Sequence, residues 1–400
     1  MTAQSPVVIV GGGVGGLSAA LALANIGRAI ILLERAPAFR EVGAGLQLAP
    51  NATRILRDFG ALELLRGAAV APDHISLRRG ADGAQLARIP LGEAEKRWGA
   101  PYFAVHRADL INALLTRARE NPLIDIRNDA TLTGYIEDEK GVAVTYRSAN
   151  EYCRASGVAL IGADGVRSLV RQKMVGDQDK PAYTGHTAWR AIVPAESLPE
   201  NLRQPAANLW FGERAHLVHY PLRSGSVVNV VALVEDAWRG ESENDPNFWD
   251  QAGDRKFLLN RFKDWSPEAK KILMASETWL RWPLFDRPRI ESWSRGRVGL
   301  LGDAAHPMLP YLAQGAAQAI EDSKALAKAF SEAPDASATA LAAYSAARLA
   351  RATQVQLASR HQGEIYHMAG LKAHARDLVL RLSPASALLR RQDWLYAAQT

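Results

Sequence analysis

Four places in this chain carry residue types and spacings that hold phosphates and sugar hydroxyls. The first is Gly11-x-Gly13-x-x-Gly16, set between a short apolar run, Val7 to Val10, and a stretch from Leu17 to Ile26 with apolar residues at helical spacing. In that context Gly11 permits a tight turn, Gly13 lets the backbone approach a pyrophosphate, and Gly16 lets the helix pack closely on the strand. The helix start adds unpaired N–H groups and a partial positive charge for the phosphates. A second apolar run, Ala29 to Leu33, ends at Glu34, a carboxylate placed to hold a ribose hydroxyl. The other places are Asp164-Gly165 after Val158-Ala-Leu-Ile, Gly302-Asp303 after Val298-Gly-Leu-Leu, and Gly315-Ala316-Ala at a helix start. An aspartate at a strand end can accept hydrogen bonds from a hydroxyl-bearing chain, and a helix start can offer N–H groups to an electron-rich ring edge. The strand–glycine–helix context predicts dinucleotide binding and leaves open which dinucleotide.

Such residues need strands that run into turns and helices, which predicts an α/β chain. We expect a Rossmann-like cofactor-binding domain, an inserted and mainly antiparallel substrate sheet, and a C-terminal helical segment. The expected division is 1–178 for the first part of the cofactor domain, 179–283 for the substrate domain, and 284–400 for the remainder with the C-terminal helices. Residues 74–100 are expected to contribute to the substrate sheet, because 74–90 alternate like a hairpin around Asp82-Gly83. The loop Glu41-Val-Gly-Ala-Gly-Leu-Gln47 leads into a helix capped near Asn51, and Arg107 opens an amphipathic helix to Arg119. Strands over 124–127, 131–136 and 142–146 read as a β-meander. From 183 to 234 the pattern is of long alternating strands, and 245–265 and 267–276 read as surface helices. A long helix starts near Gln314, breaks at 334–338 and resumes to about 382. Segment 350–382 reads as a helix packed on the cofactor domain; the alternatives are a partner subunit, giving a homodimer, or an anionic membrane surface.

Composition narrows the function classes. The chain has 400 residues and a single cysteine, Cys153, so intramolecular disulfides and cysteine metal clusters are excluded and no metal is called for. No run approaches the ~18 apolar residues of a membrane span, and the N-terminus lacks the basic start of a signal peptide. We therefore expect a cytoplasmic protein with no integral membrane segment. Lys and Arg number 48 against 42 Asp and Glu, which suits anionic small ligands. No basic block or stacking-aromatic pattern supports nucleic-acid binding. In Arg214-Ala-His216-Leu-Val-His219-Tyr220-Pro221, strand alternation puts His216 and Tyr220 on one face with Val218 between them, and His219 on the other.

Taken together and in this order, Gly11 to Gly16, Asp164-Gly165 and Gly302-Asp303-Ala-Ala-His306-Pro307 resemble the single-component flavoprotein aromatic hydroxylases of the p-hydroxybenzoate hydroxylase fold. Within it, Val42-Gly-Ala-Gly-Leu-Gln47, Val105-His-Arg107-x-Asp-Leu and Ala319-Ile-Glu-Asp look like the salicylate hydroxylase and 3-hydroxybenzoate 6-hydroxylase branch. The resemblance implies noncovalent FAD, reduced transiently by NADH or NADPH, with O2 adding as a C4a-hydroperoxide that attacks a small phenolic acid. It implies Glu34 on the adenosine ribose, Arg35 near the adenine, Gln47 and Arg107 toward the cofactor, Asp303 on the ribityl chain, and Asp164 toward both FAD and the nicotinamide. It puts Gly315 and Ala316 at the flavin's pyrimidine edge and His306 as a brace of the loop over the flavin. It makes His216 the base that ionises the phenol and Tyr220 the group that orients it. Arg190 and Arg223 are the candidates for a substrate carboxylate. One departure concerns Pro310, which stands before Tyr311 where the 3-hydroxybenzoate branch has a glutamine that assists the base; Gln314 is close enough in sequence to substitute. The alternatives are hydroxylation of a N-heteroaromatic acid such as 6-hydroxynicotinate, and a non-catalytic flavin-binding redox sensor.

Overall fold

The computed structural model describes residues 5–39, 45–176, 178–237 and 251–398. The strand Val7–Val10 is four β-branched residues, all buried, and it lies inside a six-stranded sheet. Its neighbours are Ile30–Leu33 on one side and Ala159–Gly162 on the other, both parallel. Val298–Leu300 and Ile124–Arg127 extend the parallel sheet outward, and Ser294–Arg295 adds an antiparallel edge. A strand buried on both faces needs apolar side chains at every position, which is why Val7–Val10 and Ile30–Leu33 are unbroken apolar runs, while the edge strand Ile124–Arg127 carries Asp125 and Arg127.

The helix Val14–Ala24 leaves the first strand through the glycine turn and packs on the helix Gly315–Glu332. The glycines do different work here. Gly11 has φ +106°, and a Cβ there would lie 2.3 Å from the Ala163 carbonyl oxygen. A Cβ on Gly16 would lie 1.8 Å from the carbonyl oxygen of Gly11, so the helix reaches the strand only because both lack side chains. Gly13 caps the helix at φ −74°, and a Cβ there would meet nothing within 4 Å.

Two expected elements are corrected. Ile124–Arg127 is no part of a meander; it pairs with Ile30–Leu33 in the parallel sheet. The three-stranded antiparallel sheet is Thr131–Glu137, Val142–Ser148 and Glu151–Gly157, whose last strand hides in a sequence that alternates with small and charged residues. The helix expected to be capped near Asn51 is Pro50–Asp58, with Ala49 as cap and proline at its first position, and Asn51 turns inward instead. Of the expected helix over 245–265, residues 245–250 lie outside the described residues; Gln251–Ala252 forms a short strand and the helix is Arg255–Arg261. The expected loop over 41–44 also lies outside the described residues, and Gly45–Leu48 is a strand paired with Phe103–His106.

An eight-stranded sheet takes its strands from two stretches of chain. Its order is Gln251–Ala252, Leu280–Asp286, Ala182–Pro194, Val227–Glu235, Ala215–Leu222, Ala206–Gly212, His74–Arg79 and Gln85–Pro90. The hairpin 74–90 joins through a parallel pairing with Ala206–Gly212. One face carries Trp189, Trp210, Leu217, Val230 and Ala232 against the helices Arg255–Arg261 and Pro267–Met274. The other face carries Leu77, Leu209, Phe211, Leu233 and Trp282, and Tyr311 and Tyr366 pack on it. The helix Ser337–Tyr366 buries Leu341, Tyr344, Arg348 and Val355, so its packing on the cofactor side is direct, while Leu371, Leu378, Val379 and Leu382 beyond it are exposed.

Gly16→Ala should destabilise the fold by about 3 kcal/mol or more, since the added methyl must separate strand and helix. Gly13→Ala should stay within about 1 kcal/mol of the wild type. Urea unfolding of both variants checks this, and equal losses would show that the glycine turn is not packed as described.

Candidate active site

The cofactor side of the site follows from the parallel sheet. Val298–Leu300, Ala159–Gly162 and Val7–Val10 are adjacent, so their C-terminal ends bring Gly302-Asp303, Asp164 and the glycine turn side by side, where open α/β sheets bind ligands. A Cβ on Gly11 would lie 3.1 Å from Asp164 Cα, which measures how closely two of these turns approach. Glu34, ending the next strand, accepts from the Gly12 N–H at 2.6 Å and the Ala36 N–H at 2.8 Å. Its oxygens keep further lone pairs for hydroxyls. Arg35 is exposed beside it.

Asp164 Oδ2 accepts from the N–H groups of Leu169 and Val170 at the start of Leu169–Val175, while Oδ1 is buried and without a partner. Burial raises its carboxyl above the ordinary value, against the hydrogen bonds that lower it. Asp303 is surrounded by protein yet its side chain stays accessible, as expected of a group on the wall of a deep cleft. Burial raises its carboxyl too, against the pull of His306 and Arg107. The position of a Cβ on Gly315 is 4.0 Å from Asp303 Oδ1, so the 18-residue helix Gly315–Glu332 starts at that aspartate, with Ala316 half-buried behind it. A dinucleotide carrying a pyrophosphate and a polyhydroxyl chain fits this set: open space at Gly13, an orphaned buried carboxylate oxygen, and a helix N-terminus.

The loop 302–306 is held from two sides. Asp322 Oδ2 accepts from the Gly302 N–H at 3.0 Å and meets His306 Nε2 at 2.6 Å, and Oδ1 accepts from Arg348 at 2.8 Å. Burial works against the charge of Asp322, but His306 and Arg348 outweigh it and hold the carboxyl at about 2. Neighbouring Glu321 takes Arg348, Arg351 and Asn51. From the opposite side Arg171, paired with Asp179, donates to the Ala304 and Ala305 carbonyls. His306 is therefore a brace, as the resemblance implied.

The substrate side is the open face of the eight-stranded sheet. Register pairs His216 with Leu233, Val218 with Val231 and Tyr220 with Asn229, so these side chains share that face. His219 points to the opposite face, where the Trp210 indole donates to it at 3.2 Å. His216 is buried against Tyr311 and Tyr366, and burial followed by the nearby His367 and His186 keeps it well below the usual imidazole value. Tyr220 lies against Gly45, whose missing Cβ would sit 2.7 Å from the ring, and burial raises its phenol. Gln47 comes with the same strand and accepts from Tyr102 at 2.7 Å, so it meets the substrate-side tyrosines. Arg190 stacks on Trp282 at 4.2 Å, and its Nε is buried without a partner. Burial lowers it to about 10, with Tyr220 opposing and Arg107 adding to the shift, and the same Arg107 pulls on Asp303.

Several sequence expectations did not come together. Gln314 is buried with its Oε1 accepting from Asn51 and Gln318, and among the described residues no contact joins it to His216. It cannot stand in for the missing glutamine, because the helix turn that starts at Gly315 aims it into the Glu321 cluster. Arg223 is paired with Asp109 and does not face the site. Sequence reasoning missed Asn229, whose Oδ1 accepts from the Gly45 N–H while Nδ2 is an orphan beside Tyr220. Tyr311, which the sequence placed only as the residue after Pro310, has a buried and partnerless hydroxyl, and sequence reasoning missed His367, 2.9 Å from His216. His367 ends the helix Ser337–Tyr366, and the only advance signal was the helix stop at Met368-Ala-Gly370.

Adjacent strand ends that cradle a dinucleotide, under a second sheet that offers an imidazole, phenols and a guanidinium, define an FAD-dependent aromatic-ring monooxygenase with reduced nicotinamide as its electron source. A family model described as an FAD binding domain matches residues 4–359, and the chain belongs to that family. It is 38% identical over 396 residues to a 3-hydroxybenzoate 6-hydroxylase of Polaromonas naphthalenivorans (strain CJ2), covering 98% of this chain and 96% of that protein. Among solved structures it is similar to HpxO of Klebsiella pneumoniae complexed with FAD and uric acid, at a TM-score of 0.83 and 26% identity, covering 96% of this chain and 95% of the other. It is also similar to a salicylate hydroxylase substrate complex, at a TM-score of 0.81 and 25% identity, covering 100% of this chain and 97% of the other. Among the described residues no helix is long and apolar enough to cross a membrane.

Two outcomes follow for the cofactor side. Gly13→Val should fold yet purify without yellow colour, because its branched side chain fills the space left for the pyrophosphate; a folded variant with stoichiometric flavin would remove this loop from the site. The folded carboxyl of Asp322 titrates below its unfolded value of ~3.9, so it contributes about 2 kcal/mol that is present above pH ~4 and lost as pH falls toward 2. Asp322→Asn should cost about 3 kcal/mol or more at pH 7, since Arg348 is left buried, and should flatten the acid limb of stability. Chemical denaturation across pH 2–7 measures both.

Proposed function

We propose that the protein hydroxylates a small phenolic acid of the 3-hydroxybenzoate type, with O2 as co-substrate. The observation that carries this reading is Arg190, a guanidinium drawn among protein side chains, stacked on Trp282, with an orphaned Nε and, among the described residues, no carboxylate side chain paired with it. A buried cation without an anion is costly, and a substrate carboxylate supplies one. Two strand spacings separate Arg190 from the strand of His216, roughly 10 Å, which leaves room for one benzene ring between the two side chains. The 3-hydroxybenzoate relative supports the same substrate class.

In this reading residues 74–90 and 182–286 form the substrate side, and the parallel sheet with the C-terminal helices forms the cofactor side. FAD is held by the glycine turn, Glu34, Asp164, Asp303 and the start of Gly315–Glu332, and when bound it accepts the nicotinamide's electrons and supplies the oxygen chemistry. Arg190 takes the carboxylate. His216 Nε2, which has no hydrogen bond among the described residues, accepts the phenolic proton and makes the ring a better nucleophile, an effect commonly of about 10²–10⁴-fold. Tyr220 and Tyr311 stay protonated, because burial raises both phenols, so they orient as donors and do not compete as bases. Val218, Val231, Leu233 and Trp282 keep water from the ring.

The test is a panel of salicylate, 3-hydroxybenzoate, 4-hydroxybenzoate and 6-hydroxynicotinate, read as acceleration of flavin reduction and as product per NADH consumed. 3-Hydroxybenzoate should give near-stoichiometric product. Arg190→Gln should raise KM for the acid by about tenfold or more and leave the affinity for 3-hydroxybenzamide nearly unchanged. His216→Ala should lower product about 100-fold while NADH oxidation continues with release of H2O2. Tight coupling of the heteroaromatic acid alone, or a His216→Ala enzyme as coupled as the wild type, would overturn the assignment.

A further inference from the structure

His216 is a poor place to leave a proton. It is buried, its ring lies 5.2 Å from that of His367, and burial and the neighbouring imidazoles all oppose a positive charge on it. A base that cannot retain the proton serves only if the proton moves on. The structure offers a route. His216 Nδ1 lies 2.9 Å from His367 Nε2, and His367 Nδ1 lies 3.6 Å from Glu235 Oε1, a gap that one water or a small side-chain adjustment closes. Glu235 is 29% exposed and lines an open groove of about 720 Å³ at the end of the sheet, together with Arg214, Arg261 and Met368. The chain of contacts thus runs from the closed face of the substrate site to bulk solvent.

We propose that His367 and Glu235 form a proton path that carries the substrate's hydroxyl proton from His216 to the solvent of this groove; the proposal rests on the reading of His216 as the base. The path fixes the tautomers. With Glu235 ionised, His367 carries its hydrogen on Nδ1 and presents Nε2 as acceptor to His216. His216 then carries its hydrogen on Nδ1 and presents Nε2 to the substrate. When the phenolic O–H breaks, a new N–H forms at His216 Nε2, the Nδ1 hydrogen of His216 passes to His367 Nε2, and the Nδ1 hydrogen of His367 passes to Glu235 or groove water. One proton leaves, and no electrons change hands.

The groups facing the path are consistent with this direction. Around Glu235, burial favours the neutral acid, but Arg214 at 2.6 Å and the two histidines His367 and His186 hold it below the usual carboxylate value, so it is ready to accept. Around His367, burial, His186 and Arg261 disfavour a resident charge and Glu235 favours it. One ring nitrogen of His186, one of His367 and a carboxylate oxygen of Glu235 lie within 4.8 Å of one another. His186 holds its own Nδ1 hydrogen on the Thr184 carbonyl at 3.0 Å and so contributes no link to His216. Tyr311 and Tyr366 flank the pair as raised, protonated phenols. The backbone fixes the geometry, because the Arg214 N–H donates to the His367 carbonyl. His367 acts through His216 and is in this reading a positioning residue that also conducts.

The experiment mixes FAD-loaded enzyme with 3-hydroxybenzoate in weak buffer and follows proton release with an indicator dye in a stopped flow. The wild type should release one proton per bound acid. His216→Ala should release none, which isolates the base from the path. His367→Gln and His367→Ala, verified as folded by circular dichroism and flavin content, should slow release by about 100-fold. Imidazole added to His367→Ala should restore much of the rate by entering from the groove, a response that a purely structural role would not show. Glu235→Gln should slow release less, since groove water can replace it. If His216→Ala abolishes release while both His367 variants release at the wild-type rate, the path is wrong and the base stands. If His216→Ala releases normally, the base itself is wrong and the path falls with it.

Discussion

Asp322 is the point on which the cofactor side of this protein depends. It is an aspartate with no solvent exposure, and it is tolerated there because its two oxygens are shared among the Gly302 N–H, His306 and Arg348. Arg348 in turn binds Glu321, which collects Arg351 and Asn51. Through these contacts the helix Gly315–Glu332, a strand-end turn, the 30-residue helix Ser337–Tyr366 and the helix Pro50–Asp58 are fixed to one another. Apolar packing could stabilise these elements as well or better, since buried ion pairs are weak stabilisers. What ion pairs add is direction: bidentate contacts fix the angle at which Gly302-Asp303 enters the cleft, and a slip of one turn would leave charges unpaired.

The two sides of the site solve different problems. The cofactor side is built from backbone and short side chains, because a large ligand needs close approach along its whole length. The substrate side is built from polar atoms left without partners. Arg190 Nε, Asn229 Nδ2 and the Tyr311 hydroxyl are buried and unbonded, and Asp164 Oδ1 is their counterpart on the cofactor side. Each such atom costs about 1–3 kcal/mol. Orphaned atoms occur elsewhere too, on indoles, amides, guanidiniums, imidazoles and a serine, but these four lie on the surfaces that face the cleft or its strand ends. A protein that accepts the cost there has placed donors and an acceptor for something outside its own sequence.

The cofactor side was largely legible in the sequence, because glycine spacing and strand-end acids are local patterns. Gly11, Glu34, Asp164 and Asp303 fall just past the parallel-strand ends expected of them, and Gly16 falls in the helix packed on the first strand. The shared face of His216 and Tyr220 was legible as well, since alternation on a strand is a two-residue rule. What the sequence hid was everything that depends on pairings between distant segments. Ile124–Arg127 has the pattern of any short strand, and only its partner says which sheet it joins. Gln314 is three residues from Tyr311, yet Ala313 between them takes the left-handed conformation that ends one turn, and the two side chains part. His367 meets His216 across 151 residues, and nothing local marks it.

The order of the strands carries a consequence for how the chain is made. Val7–Val10, made well before its later neighbours, lies inside the sheet; Ile30–Leu33 soon covers one edge, but the other waits for Ala159–Gly162, and that strand in turn for Val298–Leu300. Nascent chains therefore carry an open β-edge and an uncovered apolar helix through most of synthesis, the condition in which chaperone binding and misassembly compete with folding. The turn at Gly11 gains its closest neighbour, Ala163, only after that wait, and Gly15 is closed by Leu301 and Ala319 later still. The cradle for the cofactor is accordingly complete only once strands far apart in the chain have joined the sheet.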